Sequence, residues 1–127
     1  MSTIKLGRKK EHRERTLRNV ATSLLLYEKI TTTKARAKAV TPLVERLLST
    51  ARQNSLSARR EAKSILFDSN AVRKLFEDII TRMEHRTSGF LRLTKVAPRP
   101  GDRASMVQLE LLITPLEKVI ETEKVTS

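Results

Sequence analysis

The sequence predicts an α+β domain in which four helices and one strand precede a two-stranded hairpin. Three observations support this class. Apolar residues recur with a helical period in four stretches between residues 17 and 83. A β-branched run separates the first two stretches, and after Gly89 the apolar period falls to two, as in strands. The predicted order is helix, strand, three helices and hairpin, with a small three-stranded mixed sheet packed against the helices.

The first helix has an apolar stripe and a basic face. Its apolar residues follow the i, i+3, i+4, i+7, i+8 spacing of a helix that packs on one side, at Leu17, Val20, Ala21, Leu24 and Leu25. Polar residues lie mostly off this stripe, and we expect them to face solvent: Arg13, Arg15, Arg18, Asn19 and Thr22. One helix is thus predicted to build the core and to present hydrogen-bond donors.

A strand and a second helix follow. The run Ile30–Thr33 is β-branched and predicts a strand at about residues 28–33, because branching at Cβ crowds χ1 in a helix. Thr33 stands where an N-cap belongs, and the next apolar stripe continues to about Asn54. Pro42 lies inside that stripe and lacks a backbone donor, so we expect one kinked helix.

Two more helices precede the hairpin. Ser55 or Ser57 is the expected N-cap of the third helix, and the sequence Asp68–Asn70 supplies both a stop and the next cap. The fourth helix has the most regular spacing in the chain, from Val72 to Met83, and is predicted to be a core helix.

The C-terminal hairpin is predicted from alternation at residues 90–96 and 106–113. In the second strand, the residues expected to face the core are Val107, Leu109, Leu111 and Ile113. Residues 97–105 contain two prolines and a glycine, and they predict a charged loop.

The chain is predicted to form one domain with two tails, because 127 residues is a single-domain length. Residues 1–10 hold four Lys or Arg and too few apolar side chains to pack, which predicts an extended basic arm. Residues 11–113 form the single predicted α+β domain. Residues 114–127 form a polar C-terminal extension to which we assign no role.

The composition indicates a polyanionic partner. Twenty-six Lys and Arg against 14 Asp and Glu give a net charge of +12. Residues 1–40 contain 11 basic and 3 acidic side chains, whereas residues 101–127 contain 3 basic and 5 acidic ones. The positive charge is therefore concentrated in the first third of the chain.

Several function classes are disfavoured. The chain has no cysteine and two distant histidines, so we expect no disulfide and no metal site. It contains no phosphate-binding glycine loop and no nucleophile motif, so we expect neither an enzyme, nor a cofactor, nor a small-molecule substrate. The longest apolar run is four residues, Leu24–Tyr27, and no secretory signal is present, so we expect no membrane association and a cytoplasmic or equivalent location.

The residues expected to bind the polyanion form three groups that are distant in sequence. Any one of these groups can be explained as a basic face that contacts only solvent. All three together are better explained by contact with the surface of one anionic partner. The groups comprise the arm and first helix, the start of the second helix, and the hairpin: Lys5, Arg8, Lys9, Lys10, His12, Arg13, Arg15, Arg18, Asn19 and Thr22; Lys34, Arg36 and Lys38; Arg92, Lys95, Arg99 and Arg103.

Folded RNA is the polyanion that these residues favour. Four aromatic side chains leave few for stacking single-stranded bases. A helix-turn-helix DNA binder is the rival reading, since a short Asp-Ser-Asn turn joins the third and fourth helices. However, the outer face of the fourth helix carries Glu77, Asp78 and Glu84, which suit a DNA recognition helix poorly.

Three blocks of the chain are similar to one known family. Residues 5–24 (KLGRKKEHRERTLRNVATSL) resemble the N-terminal signature of the bacterial large-subunit ribosomal protein seventeen family, in which K-L-G-R, three residues, H-R and then R-N-x-x-x-x-L recur. Residues 30–38 (ITTTKARAK) resemble its strand-to-helix junction. Residues 89–111 (GFLRLTKVAPRPGDRASMVQLEL) resemble its C-terminal hairpin.

This resemblance implies a structural protein of the large ribosomal subunit. It further implies binding to large-subunit ribosomal RNA near the peptide exit region, with ribosomal protein thirty-two as a neighbour. A non-catalytic role in translation, within a ribonucleoprotein of the cytoplasm or of an organelle, is the resulting expectation.

Overall fold

The computed structural model describes residues 10–83 and 89–113. These residues form four helices and three strands, which confirms the α+β class and the predicted element order. The elements are α1 (Lys10–Tyr27), β1 (Lys29–Thr33), α2 (Lys34–Ala51), α3 (Leu56–Ile65), α4 (α-helical Ser69–Lys74, π-helical Leu75–Ile79 and α-helical Ile80–Arg82), β2 (Leu91–Lys95) and β3 (Met106–Leu111).

The two predicted tails lie almost wholly outside the described residues. Lys10, which the sequence places in the arm, is instead the first residue of α1. The rest of the arm and residues 114–127 stay predictions, as does the division of the chain into one domain and two tails.

Local cap chemistry determines where the later helices begin. The hydroxyl oxygen of Thr33 accepts a hydrogen bond from the backbone N–H three residues later at 3.4 Å, as expected for the N-cap of α2. Ser55 accepts the equivalent bond at 3.1 Å, so Ser55 rather than Ser57 caps α3. The carboxylate of Asp68 accepts from the N–H two residues later at 2.8 Å and caps α4.

Helix α2 continues through Pro42 as a single helix but ends three residues before the predicted position. Asn54 has a φ of 47°, in the left-handed region where helices commonly terminate. Its N–H donates to the carbonyl oxygen of Ala51 at 2.9 Å, which closes the final turn.

Helix α4 contains a π-helical turn that the sequence does not predict. Leu75, Phe76 and Ile79 all lie in this turn and are all buried. Apolar residues at i, i+1 and i+4 fit both an α-helical and a π-helical turn, so the period alone does not distinguish the two.

The sheet has the strand order β1–β3–β2, and both pairings are antiparallel. Leu109, in the central strand, pairs with Ile30 on one side and with Leu93 on the other. The prediction of a mixed sheet is therefore wrong. Strands β1 and β2 run in the same direction, but β3 separates them because it folds back on β2 and then pairs through its second edge with β1.

The core lies where α1, α2 and α4 meet the sheet. Ala21, Leu24 and Leu25 are fully buried, which confirms the central part of the α1 stripe. Val107, Leu109 and Leu111 are buried on β3 as predicted, and Phe90 joins the same cluster. Leu17 and Val20, nearer the start of α1, are only half-buried, so this part of the helix remains accessible.

Candidate nucleic-acid interface

The polar side of α1 divides into two faces. His12, Arg15 and Asn19 follow the i, i+3, i+7 spacing and are exposed on the outer face. Arg13 and Arg18 are half-buried and line a cleft against α2. The single basic face predicted for α1 is therefore an exposed outer face and a separate cleft-lining face.

The α1–α2 cleft encloses about 400 Å³ between α1, α2 and one residue of α3. Its apolar lining consists of Leu17, Ala39, Pro42, Leu43 and Ile65. Its charged lining consists of Lys10, Arg13, Glu14, Arg18 and Arg46. Four cations and one carboxylate thus surround a mainly apolar cleft.

Arg46 belongs to this charged lining although it was absent from the residues chosen by sequence. Its Nη2 lies 3.0 Å from Oε1 of Glu61 on α3, while the Arg46 side chain remains 73% exposed. Its position on this face could have been predicted from the sequence. Arg46 is four residues after Pro42 and three after Leu43, so the three side chains share one face of α2.

A second cleft, here the α2–hairpin cleft, lies between the start of α2 and the hairpin loop, and no residue of the third basic group lines it. Thr33, Lys34, Ala35 and Lys38 line it from the α2 side, and Ala104 and Ser105 line it from the hairpin loop. The N–H of Lys34 donates to the carbonyl oxygen of Ser105 at 2.9 Å, which holds the loop against the start of α2. Arg36 is half-buried and is not among the lining residues of this cleft.

A carboxylate on α2 fixes the other end of the hairpin. Oε1 of Glu45 accepts hydrogen bonds from the N–H groups of Phe90 and Leu91, at 2.8 and 3.1 Å. Strand β2 is therefore held to α2, with Arg92 and Lys95 exposed. Arg92 lies directly opposite Glu110 of β3.

The hairpin loop uses one of its predicted site residues for its own structure. Nε of Arg99 donates to Oδ1 of Asp102 at 3.1 Å, and Nη2 of Arg99 donates to Oδ2. The same carboxylate accepts from the N–H of Ala104 at 3.1 Å. The Arg99 hydrogen bonds, followed by the Ala104 N–H, lower the pKa of Asp102 to about 2. Arg103 is exposed and adopts a φ of 53°.

Thr22 is not on the solvent face, and that expectation is wrong. Its side chain is 8% exposed, and its hydroxyl donates to the carbonyl oxygen of Arg18 at 2.7 Å. The same oxygen accepts from the N–H of Phe67 at 3.3 Å. Thr22 faces the segment that links α3 to α4, so its hydrogen bonds support the fold.

Lys5, Arg8 and Lys9 lie outside the described residues, so their expected role stays a prediction. Within residues 10–83 and 89–113, no three His, Cys, Asp or Glu residues lie close enough together to hold a metal ion. In the same part of the chain, none of the helices has the length and apolar character to cross a membrane.

Comparison with known proteins identifies the family. A family model described as Ribosomal protein L17 matches residues 16–112, which include both clefts except for Lys10, Arg13 and Glu14. The chain belongs to the ribosomal protein L17 family. This membership confirms the resemblance on which the sequence-based expectation rested.

The relatives of this L17-family chain are similar over most of its length. A protein of Carboxydothermus hydrogenoformans is 47% identical over 112 residues, which cover 88% of this chain and 100% of the relative. A protein of Desulfitobacterium hafniense is 46% identical with the same coverage. A protein of Chlorobium limicola is 44% identical over 85% of this chain and 72% of the relative. All three are named large ribosomal subunit protein bL17. The L17 family is a family of non-enzymatic ribosomal proteins, which confirms the prediction that the chain is not an enzyme.

Proposed function

We propose that this chain is a structural constituent of the bacterial large ribosomal subunit that binds and stabilises large-subunit ribosomal RNA. One observation carries the proposal: the first half of α2 is bordered by both basic clefts. Lys34 and Lys38 line the α2–hairpin cleft, and the next residue, Ala39, already lines the α1–α2 cleft. Basic groups that are distant in sequence therefore adjoin along one helix.

The start of α2 suits a phosphate. This 18-residue helix has no acidic side chain in its first turn, where the helix dipole favours an anion. Lys34 and Lys38 add positive charge at the same place, which destabilises an isolated helix. A bound phosphate offsets that repulsion, and Ser105 offers a neutral hydroxyl beside it.

The geometry of α4 argues against the DNA-binding alternative. Its inner side is buried in the core, and Asp78 forms ion-paired hydrogen bonds with Arg82 rather than facing a groove. Glu77 is the exposed acid beside them. A helix with a buried inner side and acids outside has no base-reading surface.

The location of the chain follows from the same proposal. The relatives are named as proteins of the large ribosomal subunit, which in bacteria is cytoplasmic. We place the chain near the peptide exit region, with ribosomal protein thirty-two as a neighbour. Cross-linking of intact large subunits, followed by mass spectrometry, tests this placement, and cross-links only to proteins remote from the exit would contradict it.

RNA binding is tested by comparing two nucleic acids at one salt concentration. A fragment of large-subunit RNA should bind much more tightly than duplex DNA of equal length, since RNA shape and 2′-hydroxyl groups contribute. With about six to ten phosphates neutralised, log affinity should fall with log salt at a slope of magnitude roughly 4–9. Equal affinity for RNA and DNA would indicate non-specific binding and would refute the proposal.

Two matched variants test which surface of the protein binds the RNA. Lys38→Ala removes an exposed charge from the α2–hairpin cleft, and Arg60→Ala removes an exposed charge from α3 that lines neither cleft. Lys38→Ala should lower the salt slope by about one, and Arg60→Ala should leave it unchanged. The reverse ranking would show that α3, not α2, faces the RNA.

A further inference from the structure

The α1–α2 cleft has a composition that phosphate binding alone does not require. Its volume of about 400 Å³ falls in the range of about 300–1,000 Å³ typical of sites for small organic groups. Leu17, Leu43 and Ile65 are half-buried and Pro42 is exposed, so apolar surface remains accessible between the two helices. A sugar–phosphate backbone gains little from such a lining, whereas a flat heteroaromatic ring gains contact area.

The charged lining of the cleft determines the sign of its occupant. Lys10, Arg13 and Arg18 form no ion pair among the described residues, so their charge is available to an anion. The chain's own residues 1–9 suit the cleft poorly by charge, because they contain three cations and no acid. The cleft therefore suits an occupant that combines an anionic part with an apolar part.

We infer that the α1–α2 cleft receives one unstacked nucleotide of the ribosomal RNA, with its base against the apolar lining and its phosphates on Lys10, Arg13 and Arg18. The inference rests on the proposed function and adds a base-recognition site to it. Unpaired bases stack on guanidinium planes as well as on aromatic rings. The Arg46 guanidinium lies 3.0 Å from Glu61, and most of that side chain stays exposed at the lining of the cleft, where a base can stack on it.

Glu14 gives the site a preference among bases. An ionised carboxylate only accepts hydrogen bonds, so it pairs with exocyclic amino groups, as in the contact of Glu with the amino group of cytosine. Adenine, cytosine and guanine carry such a group, whereas uracil offers only its N3–H, which lies between two carbonyl oxygens that repel a carboxylate. The cleft should therefore favour a base other than uracil.

Chemical probing of the full-length chain bound to large-subunit ribosomal RNA tests this inference. Dimethyl sulfate and kethoxal report on base edges, and hydroxyl radicals report on the backbone. The test variant is Pro42→Glu, which restores a backbone donor within α2 and places a carboxylate in the cleft. The matched control is Ser57→Glu, which adds the same charge at an exposed position in the first turn of α3, where the helix dipole favours an acid.

The expected result is an unpaired A, C or G that wild-type protein and Ser57→Glu protect and Pro42→Glu does not. RNA affinity of Pro42→Glu should fall about tenfold, as for the loss of one stacked base. Replacing the mapped nucleotide by uracil should lower affinity for wild-type protein and have no further effect on Pro42→Glu.

Three results would overturn the inference. The first is a backbone footprint without any base whose protection depends on Pro42. The second is unchanged affinity for Pro42→Glu. The third is a photo-cross-linker at Leu43 that, in the assembled subunit, reacts with a neighbouring protein instead of RNA. If wild-type protein leaves no footprint on the RNA at all, the proposed function itself fails, so the two failures are distinguishable.

Discussion

The two ends of α1 use charge in opposite ways. Directly after its C-terminus, Glu28 accepts a hydrogen bond from Lys74 at 2.9 Å and lies 2.8 Å from Nη1 of Arg82, whose side chain is 4% exposed. Arg82 also donates to Asp78 at 2.7 Å. At the N-terminal end of α1, Lys10, Arg13 and Arg18 line a cleft instead, with Glu14 as the acid beside them. Charges paired within the protein support the fold, and charges left for a partner support binding.

The paired cluster also fixes a strained residue. Glu28 has a φ of 66°, and its backbone nevertheless joins α1 to the sheet, with its carbonyl oxygen accepting from the N–H of Leu111 at 3.0 Å. Burial alone would raise the pKa of Glu28, but the hydrogen bonds and charges of Arg82 and Lys74 outweigh burial and lower it. The cluster therefore stabilises the turn from α1 to β1.

The largest expected effect comes from Leu24→Ala, which opens a cavity in the core beneath the middle of α1. Leu24 is fully buried, so the substitution leaves a cavity and should cost about 2–5 kcal/mol of unfolding free energy. RNA affinity should fall only in proportion to the unfolded fraction, as measured by urea denaturation and RNA titration. Reduced affinity of the folded variant would show that Leu24 affects the binding surface directly.

Arg82→Ala should break the paired cluster and leave the clefts intact. Removing the Arg82 guanidinium leaves the carboxylates of Asp78 and Glu28 without this cation, and because these carboxylates are 36% and 32% exposed, solvent screening should limit the cost to about 1–3 kcal/mol. Arg73→Ala, at an exposed position of the same helix, is the matched control and should change stability by less than about 0.5 kcal/mol. Equal melting temperatures for Arg82→Ala and Arg73→Ala would show that the cluster does not stabilise the fold as described.

The pH dependence of stability distinguishes Glu28 from an exposed acid. Because the folded-state pKa of Glu28 is lowered from 4.5, its contribution is present above that value and is lost as pH falls through the folded-state pKa. At neutral pH, Glu28→Gln should lower the unfolding free energy by about 1 kcal/mol, a value that already includes partial solvent screening. This difference from wild type should shrink below pH 4.5.

Asp102→Asn is the control for that pH experiment. The pKa of Asp102 is about 2, but its carboxylate is exposed on a loop, so its pH-dependent effect should be the smaller of the two. Thermal melting of both variants from pH 7 to pH 2 measures the difference. A larger effect for Asp102 would mean that the hairpin loop, not the α1–β1 turn, controls acid stability.

The smallest effect on stability and a clear effect on binding are expected for Arg18→Ala. Its backbone carbonyl keeps the hydrogen bond from Thr22, and its half-buried side chain lines the α1–α2 cleft, so stability should change by no more than about 0.5 kcal/mol. RNA affinity should fall and the salt slope should decrease by about one. Unfolding of this variant, or unchanged binding, would contradict the contrast between the two ends of α1.

The sequence by itself determined the features that depend on near neighbours in the chain. Caps at Thr33 and Asp68 were predictable, because a cap hydrogen bond spans two or three residues. The buried stripe of α1 and the alternation of β3 followed from their periods. The concentration of positive charge in the first third of the chain needed no structure at all.

Only the tertiary structure decided which distant residues meet. Thr22 is polar and lies off the apolar stripe of α1, but the α3–α4 link packs over its side chain and buries it. The place of β3 at the centre of the sheet, the contact between Lys34 and Ser105, and the cleft position of Arg46 depend on how elements far apart in sequence pack together. Periodicity reports the side of an element that is apolar, but it does not report which other element covers that side, because this choice depends on contacts between residues that are not neighbours in the chain.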